Sequence, residues 1–282
     1  MNLSICSISF RHQLISIDQL ANWAKNNYFQ GIELWGVHAK NLSDQPHYNK
    51  NWLAKYGLQV PMISDYLPLA IPDKEAFYKI QLLSRLAKHW GAKKIRTFAG
   101  EKGSAETSAV DRKKLVKRLK ALCESVAEHN LTLIIETHPN TFADTLKSTQ
   151  QLLDEVNHDS LKLNFDVLHV WESKINEIEA LEQLKPHIDH FHFKNISSEE
   201  LLNVFSPPNV YSASGSREGM TPLFEGKINF KAFIQYLIEH QEPRFSEIDV
   251  SLEWFGNHSQ KILRHDRYLI QQIQQQSQQV AC

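Results

Sequence analysis

The chain has 282 residues, of which 42% are hydrophobic and 22% charged, and its formal net charge is −1. This composition supports a sizeable core, whereas the nearly balanced charge argues against a nucleic-acid partner, since DNA-binding domains carry a clear basic excess. No run of about 18 apolar residues is available to span a membrane. The start, MNLSICSISF, lacks the pattern of a signal peptide, and the three cysteines are odd in number and widely spaced. We therefore expect a cytoplasmic protein with reduced thiols.

Strand-like apolar runs alternate with helical patterns along the whole chain. The predicted strands span 3–10, 31–36, 59–66, 94–100, 132–139, 161–170, 187–195 and 247–256. The helices predicted to follow them span 17–28, 47–56, 74–91, 109–130, 148–157, 175–184, 229–240 and 257–275. Eight alternating strand–helix units indicate a parallel sheet closed into a (β/α)₈ barrel. No linker divides this pattern, so we expect one α/β domain over residues 1–275.

Two segments depart from the regular alternation. Residues 196–227 are rich in Ser, Pro and Gly and predict a long loop after the seventh strand. Such a loop in a compact domain is usually functional or disordered, and a lid over the substrate is one expectation for it. The Gln-rich end, residues 276–282, is predicted to fray into solvent.

The seventh predicted strand, HIDHFHFKN, carries two kinds of side chain in alternation. Successive residues of a strand point to opposite faces. Phe191 and Phe193 therefore lie on one face, and His190, His192 and Lys194 lie on the other. One face is apolar, and the other carries groups suited to chemistry.

Four successive strands each bring a carboxylate or an imidazole to the rim where barrel active sites form. The side chains predicted to face inward there are Glu136 and His138 on strand five, Asp166 and His169 on or after strand six, His192 and Lys194 on strand seven, and Glu253 on strand eight. Three crowded carboxylates repel one another unless a cation neutralises them. Glu136, Asp166, His192 and Glu253 form an oxygen-rich set that suits Mn²⁺, Mg²⁺ or Co²⁺ better than a thiolate-type zinc site does.

Further polar groups at the predicted rim indicate what the site binds. Arg96 and Lys194 add positive charge beyond what a metal site needs, and arginine forks suit carboxylates. We therefore expect a small anionic substrate. The other candidate contacts are Arg11, Glu33, Tyr66, Tyr211 and Arg217. Most of these residues have an alternative role. Arg11 and Arg217 could be ordinary loop arginines, and Glu33 could form a salt bridge to one of them. Tyr66 could simply pack inside the barrel.

Several segments together resemble a known family. They are GIELWG, MISDYL, ETHPNT, HFHFKNISS, NVYSASGSREGM and SLEWFG, and the resemblance runs from about residue 3 to 256. The chain resembles the xylose isomerase-like TIM barrels and, among them, the bacterial 3-dehydroshikimate dehydratases of petrobactin-type catecholate siderophore synthesis. The resemblance implies conversion of 3-dehydroshikimate, a cyclic anion, to protocatechuate for siderophore or aromatic metabolism. It also implies one divalent ion, Mn²⁺ or Mg²⁺ with Co²⁺ or Zn²⁺ as alternatives, held by the four residues named above.

The predicted site suggests roles for its remaining side chains. His138 is the first choice for the base that removes a proton, because an imidazole is suited to proton transfer near neutral pH. His169 is the candidate acid or shuttle for the departing hydroxyl, and the two roles are interchangeable at this stage. Arg96, Lys194 and Tyr211 would hold the carboxylate and hydroxyls of the substrate.

Three other readings of the sequence are weighed against the dehydratase. A ketose 3-epimerase or sugar isomerase uses a similar metal set but needs no carboxylate clamp. An endonuclease IV-like enzyme requires several zinc ions and a basic groove, and a barrel that only binds a ligand does not need His138 and His169. Barrels of this type often pair, so a homodimer is an alternative to the monomer.

Overall fold

The computed structural model describes residues 1–70, 73–240 and 247–280. Eight parallel strands form a closed barrel, in which the first strand pairs with both the second and the last. The barrel strands are β1 (Asn2–Cys6), β2 (Gly31–Trp35), β3 (Met62–Ser64), β4 (Lys94–Thr97), β5 (Thr132–Glu136), β6 (Leu161–Asp166), β7 (Ile188–Phe193) and β10 (Asp249–Leu252). The short strands β8 (Asn195–Ile196) and β9 (Met220–Thr221) form a separate antiparallel ribbon. The predicted (β/α)₈ barrel is confirmed.

Helices connect consecutive barrel strands and cover the outside of the sheet. They are α1 (Ile17–Asn26), α2 (Gly36–Ser43), α3 (Lys50–Ala54), α4 (Asp73–Trp90), α5 (Ala109–Ala127), α6 (Leu146–Val156), α7 (Val167–Glu172), α8 (Glu177–Leu184), α9 (Pro207–Tyr211), α10 (Phe230–Glu239) and α11 (Ser259–Val280). Within the described ranges, every helix is too short or too polar to cross a bilayer.

The barrel strands are shorter than the sequence predicted. Residues 7–10, predicted as strand, form a 3₁₀ helix, and the predicted sixth strand ends at Asp166, where α7 begins. The Asp166 carboxylate starts that helix by accepting hydrogen bonds from the Leu168 and His169 backbone amides. The error has a physical cause: Ile8, Phe10, Val167 and Leu168 are also buried, so the apolar run continues after the strand stops.

The predicted long loop, residues 196–227, contains regular structure of its own. It includes the ribbon of β8 and β9, a 3₁₀ helix over Glu199–Phe205, and α9. At the other end of the chain, α11 continues to Val280, through part of the segment predicted to fray. Residues 281 and 282 of that segment lie outside the described residues.

The alternation predicted for the seventh strand is present in β7. Phe193 packs against Phe230 with ring centroids 5.1 Å apart, and Phe165 of β6 stacks on Phe233 of α10 at 6.3 Å. His190 and His192 lie on the opposite, inner face and are fully buried. Burying each phenylalanine contributes roughly 2 to 3 kcal/mol, so the outer face anchors α10 while the inner face is left for polar groups.

Candidate active site

Glu136, Asp166, His192 and Glu253 meet at the carboxyl-terminal end of the barrel. Strand register brings Asp166 directly beside His192, and Glu253 follows β10 with its backbone amide bonded to the Phe193 carbonyl. His192 Nδ1 lies 3.6 Å from Glu136 Oε1, 3.8 Å from Asp166 Oδ2 and 3.7 Å from Glu253 Oε1. All four side chains are buried, and one potential ligand atom from each lies within 4.8 Å of the others. These four residues are called the carboxylate–histidine set below.

The carboxylate–histidine set fits a divalent cation. His192 Nε2 lies 3.0 Å from Glu33 Oε2, so its N–H donates to that carboxylate and the Nδ1 lone pair faces the three other carboxylates. Buried Nδ1 has no hydrogen-bond partner among the described residues. Three carboxylate oxygens and one imidazole nitrogen are ligands that Mg²⁺, Mn²⁺ and similar ions accept.

Two basic side chains neutralise part of the negative charge in the set. Lys194 Nζ lies 2.7 Å from Glu253 Oε2 and also contacts Asp166 Oδ2, and Arg96 Nε lies 3.1 Å from Glu136 Oε2. Burial works against the charge on Lys194, but Asp166 and Glu253 raise its pKa well above the usual value. Three carboxylates thus face two basic side chains. Burial lowers the pKa of His192, but nearby carboxylates, Glu33 first among them, raise it well above the usual value, so the site favours a further positive charge.

The Glu33 side chain has partners that the sequence did not predict. It lies 3.2 Å from His190 Nε2, accepts a hydrogen bond from Ser64 and holds His192. Burial alone would raise the pKa of Glu33, but His192 and His190 hold it well below the usual range. Glu33 is not among the residues that line the active-site cavity, and its salt bridge is to histidines rather than to arginine. The expected salt bridge to arginine is therefore wrong, because Glu33 pairs with His190 and His192, and contact with substrate stays a prediction.

His138 and His169 lie side by side in the cavity wall, with ring centroids 4.3 Å apart. The His138 Nδ1–H donates to the Pro139 carbonyl at 2.7 Å, which leaves Nε2 to accept a proton. Burial, with His169 beside it, holds the pKa of His138 well below its usual value, so the ring is neutral. His169 Nδ1 lies 2.8 Å from Glu172 Oε2. The sequence analysis missed Glu172, although it stands three residues after His169, the spacing of neighbours on a helix.

Arg96, Tyr66 and Tyr211 line the same cavity. The Arg96 guanidinium packs against the adjacent rings of Tyr66 and Phe98, 5.0 and 5.3 Å from their centroids. Arg96 Nη1 and the Tyr211 hydroxyl are buried and have no hydrogen-bond partner among the described residues. Buried donors without partners are costly, so a ligand oxygen that accepts from them would be bound favourably.

The cavity between these groups is small, about 30 Å³, because Phe205, Pro207, Val210 and Phe255 close it. Three of these four residues belong to the 196–227 segment. A six-membered ring is larger than this volume. An outward movement of the segment that would admit such a ring, and hence a lid role, stays a prediction.

Arg11 and Arg217 lie outside the cavity and hold the same segment from the other side. Arg11 donates to the carbonyls of Val210 at 2.7 Å and Ile8 at 3.1 Å. Arg217 donates to the carbonyls of Ser212 at 2.7 Å and Asn209 at 3.1 Å. Their guanidinium groups bind the backbone of the loop, which agrees with the alternative of ordinary loop arginines, and contact with substrate stays a prediction.

Comparisons with known proteins agree with this architecture. The family model described as xylose isomerase-like TIM barrel matches residues 21–273. The chain is 47% identical over 270 residues to a 3-dehydroshikimate dehydratase of Bacillus anthracis, with 94% of each chain covered.

Solved structures place the whole barrel in the same group. The crystal structure described as the probable 3-DHS dehydratase involved in petrobactin synthesis from Bacillus anthracis has a TM-score of 0.90 at 45% identity, over 96% of this chain and 99% of that one. An L-ribulose 3-epimerase structure has a TM-score of 0.70 at 17% identity, over 99% of this chain and 96% of that one, which shows a shared fold only. The chain belongs to the xylose isomerase-like TIM barrel family.

Proposed function

We propose that this protein is a metal-dependent 3-dehydroshikimate dehydratase that forms protocatechuate and water. The observation that carries the proposal is the composition of one small cavity. Glu136 and Glu253 of the carboxylate–histidine set line it together with two histidines. The same wall includes the donors of Arg96 and Tyr211 that have no partner among the described residues. The 47% identity to a dehydratase of that name, over 94% of both chains, supports the same substrate.

The four members of the carboxylate–histidine set would hold one divalent ion, with Mn²⁺ or Mg²⁺ as the first candidates and Co²⁺ or Zn²⁺ as alternatives. When bound, such an ion supplies Lewis-acid polarisation of the substrate's ring ketone. Lys194 would keep Asp166 and Glu253 in position through its ion pairs with both carboxylates.

His138 would act as the general base. Its Nδ1–H is committed to the Pro139 carbonyl, so Nε2 is the ring atom that can take the proton from the carbon next to the ketone. The neutral ring is ready to accept that proton.

His169 would act as the general acid, or as a shuttle that passes the proton from His138. The hydroxyl two carbons from the ketone leaves as water when it receives a proton. Glu172 orients the His169 ring through Nδ1 and leaves Nε2 for this transfer. Loss of water leaves a cyclic dienone, and its ketone becomes a phenol by a proton shift that makes the ring aromatic.

Arg96 and Tyr211 would bind the carboxylate of the substrate. The Arg96 guanidinium presents a donor without a partner in the described part of the chain, and the rings of Tyr66 and Phe98 pack against it. The second candidate function, a ketose 3-epimerase, has a neutral substrate and would leave Arg96 Nη1 without an anionic group to bind. The product would serve siderophore or aromatic metabolism, and the cytoplasmic location and the homodimer stay predictions.

The test of the proposal is metal-dependent turnover. The protein is stripped with a chelator, mixed with 3-dehydroshikimate with and without Mn²⁺ or Mg²⁺, and followed by the ultraviolet absorbance of the catechol. The proposal predicts protocatechuate only when metal is restored. No product with any divalent metal would contradict it, and neutral ketoses would then be tested in the same assay.

A further inference from the structure

A large basic cleft lies next to the catalytic cavity and is separate from it. The cleft has a volume of about 860 Å³ and shares only Phe255 with the walls of the cavity. Its charged lining comes from three parts of the chain that are distant in sequence: the turn after β1, the 212–217 segment and the start of α11. The basic side chains that line it are Arg11, His12, Arg217, His258, Lys261 and Arg264.

The lining of the cleft is basic, and the nearby carboxylates lie outside it. Glu253 opposes the lowering of the Arg11 pKa by burial, and Glu225 lines an adjoining pocket with Lys261 and Arg264. Among the described residues that line it, none is Asp or Glu. Arg11 and Arg217 donate to backbone carbonyls rather than to carboxylates. The cleft therefore differs from an ordinary protein surface, where charges of both signs are interspersed.

Two of the guanidinium groups are held in an unfavourable environment. Burial and the neighbouring Arg217 lower the pKa of Arg11 to about 10, and burial also lowers the pKa of Arg217. Arg11 thus loses hydration and is repelled by Arg217, and Glu253 offsets only part of both effects. A bound anion would relieve the repulsion.

The beginning of α11 adds to the same potential. Ser259, Gln260 and Lys261, in the first turn of this 22-residue helix, line the cleft, and the first turn contains no acidic residue. A helix carries partial positive charge at its N-terminus, and this end has no Asp or Glu to offset that charge.

We propose that the basic cleft binds a small anion with carboxylate or phosphate groups, at a site distinct from the catalytic cavity. Arginine forks bind both kinds of oxygen, and lysine adds a mobile positive charge. The cleft is large enough for a metabolite-sized anion. The bound anion would lie beside Arg11, which fastens Val210 of the segment that closes the catalytic cavity.

The test is calorimetric titration of the Mg²⁺-loaded protein with inorganic phosphate and, separately, with succinate. The variant K261Q/R264Q removes two exposed cations of the cleft that do not line the catalytic cavity. The variant K113Q/K117Q makes the same change of charge on the exposed face of α5 and serves as the control. We expect saturable binding of at least one anion, weakened at least tenfold in K261Q/R264Q and unchanged in the control.

The comparison of the two anions identifies the chemistry of the ligand. Tighter binding of phosphate would assign the site to phosphorylated metabolites, and tighter binding of succinate would assign it to carboxylates. Absence of saturable binding, or equal weakening in both double variants, would overturn the proposal. Because binding is measured without turnover, this result does not depend on whether the chain dehydrates 3-dehydroshikimate.

Discussion

Buried charged side chains are paired differently at the two ends of the barrel interior. At the amino-terminal end, Lys94 Nζ lies 3.0 Å from Asp249 Oδ2 and donates to the Asp189 carbonyl at 2.6 Å. At the carboxyl-terminal end, three carboxylates converge on His192 Nδ1, which has no hydrogen-bond partner among the described residues. In the first arrangement the lysine has carboxylate partners within the protein, and in the second a ligand atom is left without a partner in the described part of the chain.

This difference separates structural charge from functional charge. A buried pair with both partners present is complete, so its removal should change stability more than activity. A cluster of buried groups without a partner is stabilised by a ligand that the protein must bind. Substitution of those groups should therefore change ligand binding and turnover. In (β/α)₈ barrels the carboxyl-terminal end carries the active site, and the other end supports stability.

The sharpest test of the carboxyl-terminal end that leaves its metal ligands intact is H138Q. We expect turnover of 3-dehydroshikimate to fall about 10²- to 10⁴-fold, because a positioned proton acceptor is lost. Metal affinity, measured by calorimetry on the same preparation, should stay unchanged since His138 is outside the carboxylate–histidine set. Full activity in this variant would remove His138 from the mechanism.

The matching test of the amino-terminal end is K94M. This change leaves Asp249 buried without its cation and should lower the free energy of unfolding by roughly 3 kcal/mol. Urea denaturation measures the loss, and the double variant K94M/D249N should recover part of it. Metal affinity should be the same as in the wild type, and a parallel loss of affinity would break the proposed division between the two ends.

Glu33 has features of both regions. Its carboxylate has partners within the protein, and one of them, His192, has a ring nitrogen free to bind a metal. In E33Q the carboxylate that fixes His192 Nε2 is lost, so metal affinity should fall about 10- to 100-fold. Competition with a chelator of known affinity measures the change. S64A removes one hydrogen bond to Glu33 but keeps the carboxylate that pairs with His192. It is the control and should weaken affinity by a much smaller factor.

Asp266 of α11 is a buried carboxylate outside both ends. Burial raises its pKa to about 7, and the backbone amide of Leu223, which donates to Oδ1 at 3.1 Å, opposes the rise only in part. As the pH increases from about 4 to 7, the unfolded chain loses this proton while the folded protein keeps it. Stability therefore falls across that range, and the full penalty applies above pH 7.

D266N removes this dependence and keeps an oxygen that can accept from Leu223. Relative to the wild type, the variant should gain about 1 to 2 kcal/mol at pH 8 and little at pH 4, the gain being limited because the new amide N–H groups need partners. Urea denaturation at the two pH values measures the difference. An equal difference at both pH values would show that Asp266 does not titrate between them.

The features that could be predicted from the sequence are those that depend on the order of the strands and on the alternation of side chains along each strand. Glu136, Asp166, His192 and Glu253 come at the ends of successive strands, and in a parallel barrel those ends meet. Glu33 could not be paired correctly in advance, because its contact with His192 crosses the barrel interior. Arg11 and Arg217 lie in turns, where no periodicity fixes the direction of a side chain. The start of α7 was predicted as strand because Val167, Leu168 and Val170 prolong the apolar run.

The most direct test of metal binding by the carboxylate–histidine set is a crystal structure of the Mn²⁺-soaked protein, with anomalous data collected at the manganese absorption edge. The account predicts one strong peak between His192 Nδ1 and the carboxylates of Glu136, Asp166 and Glu253. Two other groups of potential ligands lie close by: Cys6, His192 and Glu253, and Glu33, His190 and His192. A peak at either of these groups, or no peak in the barrel, would contradict the account.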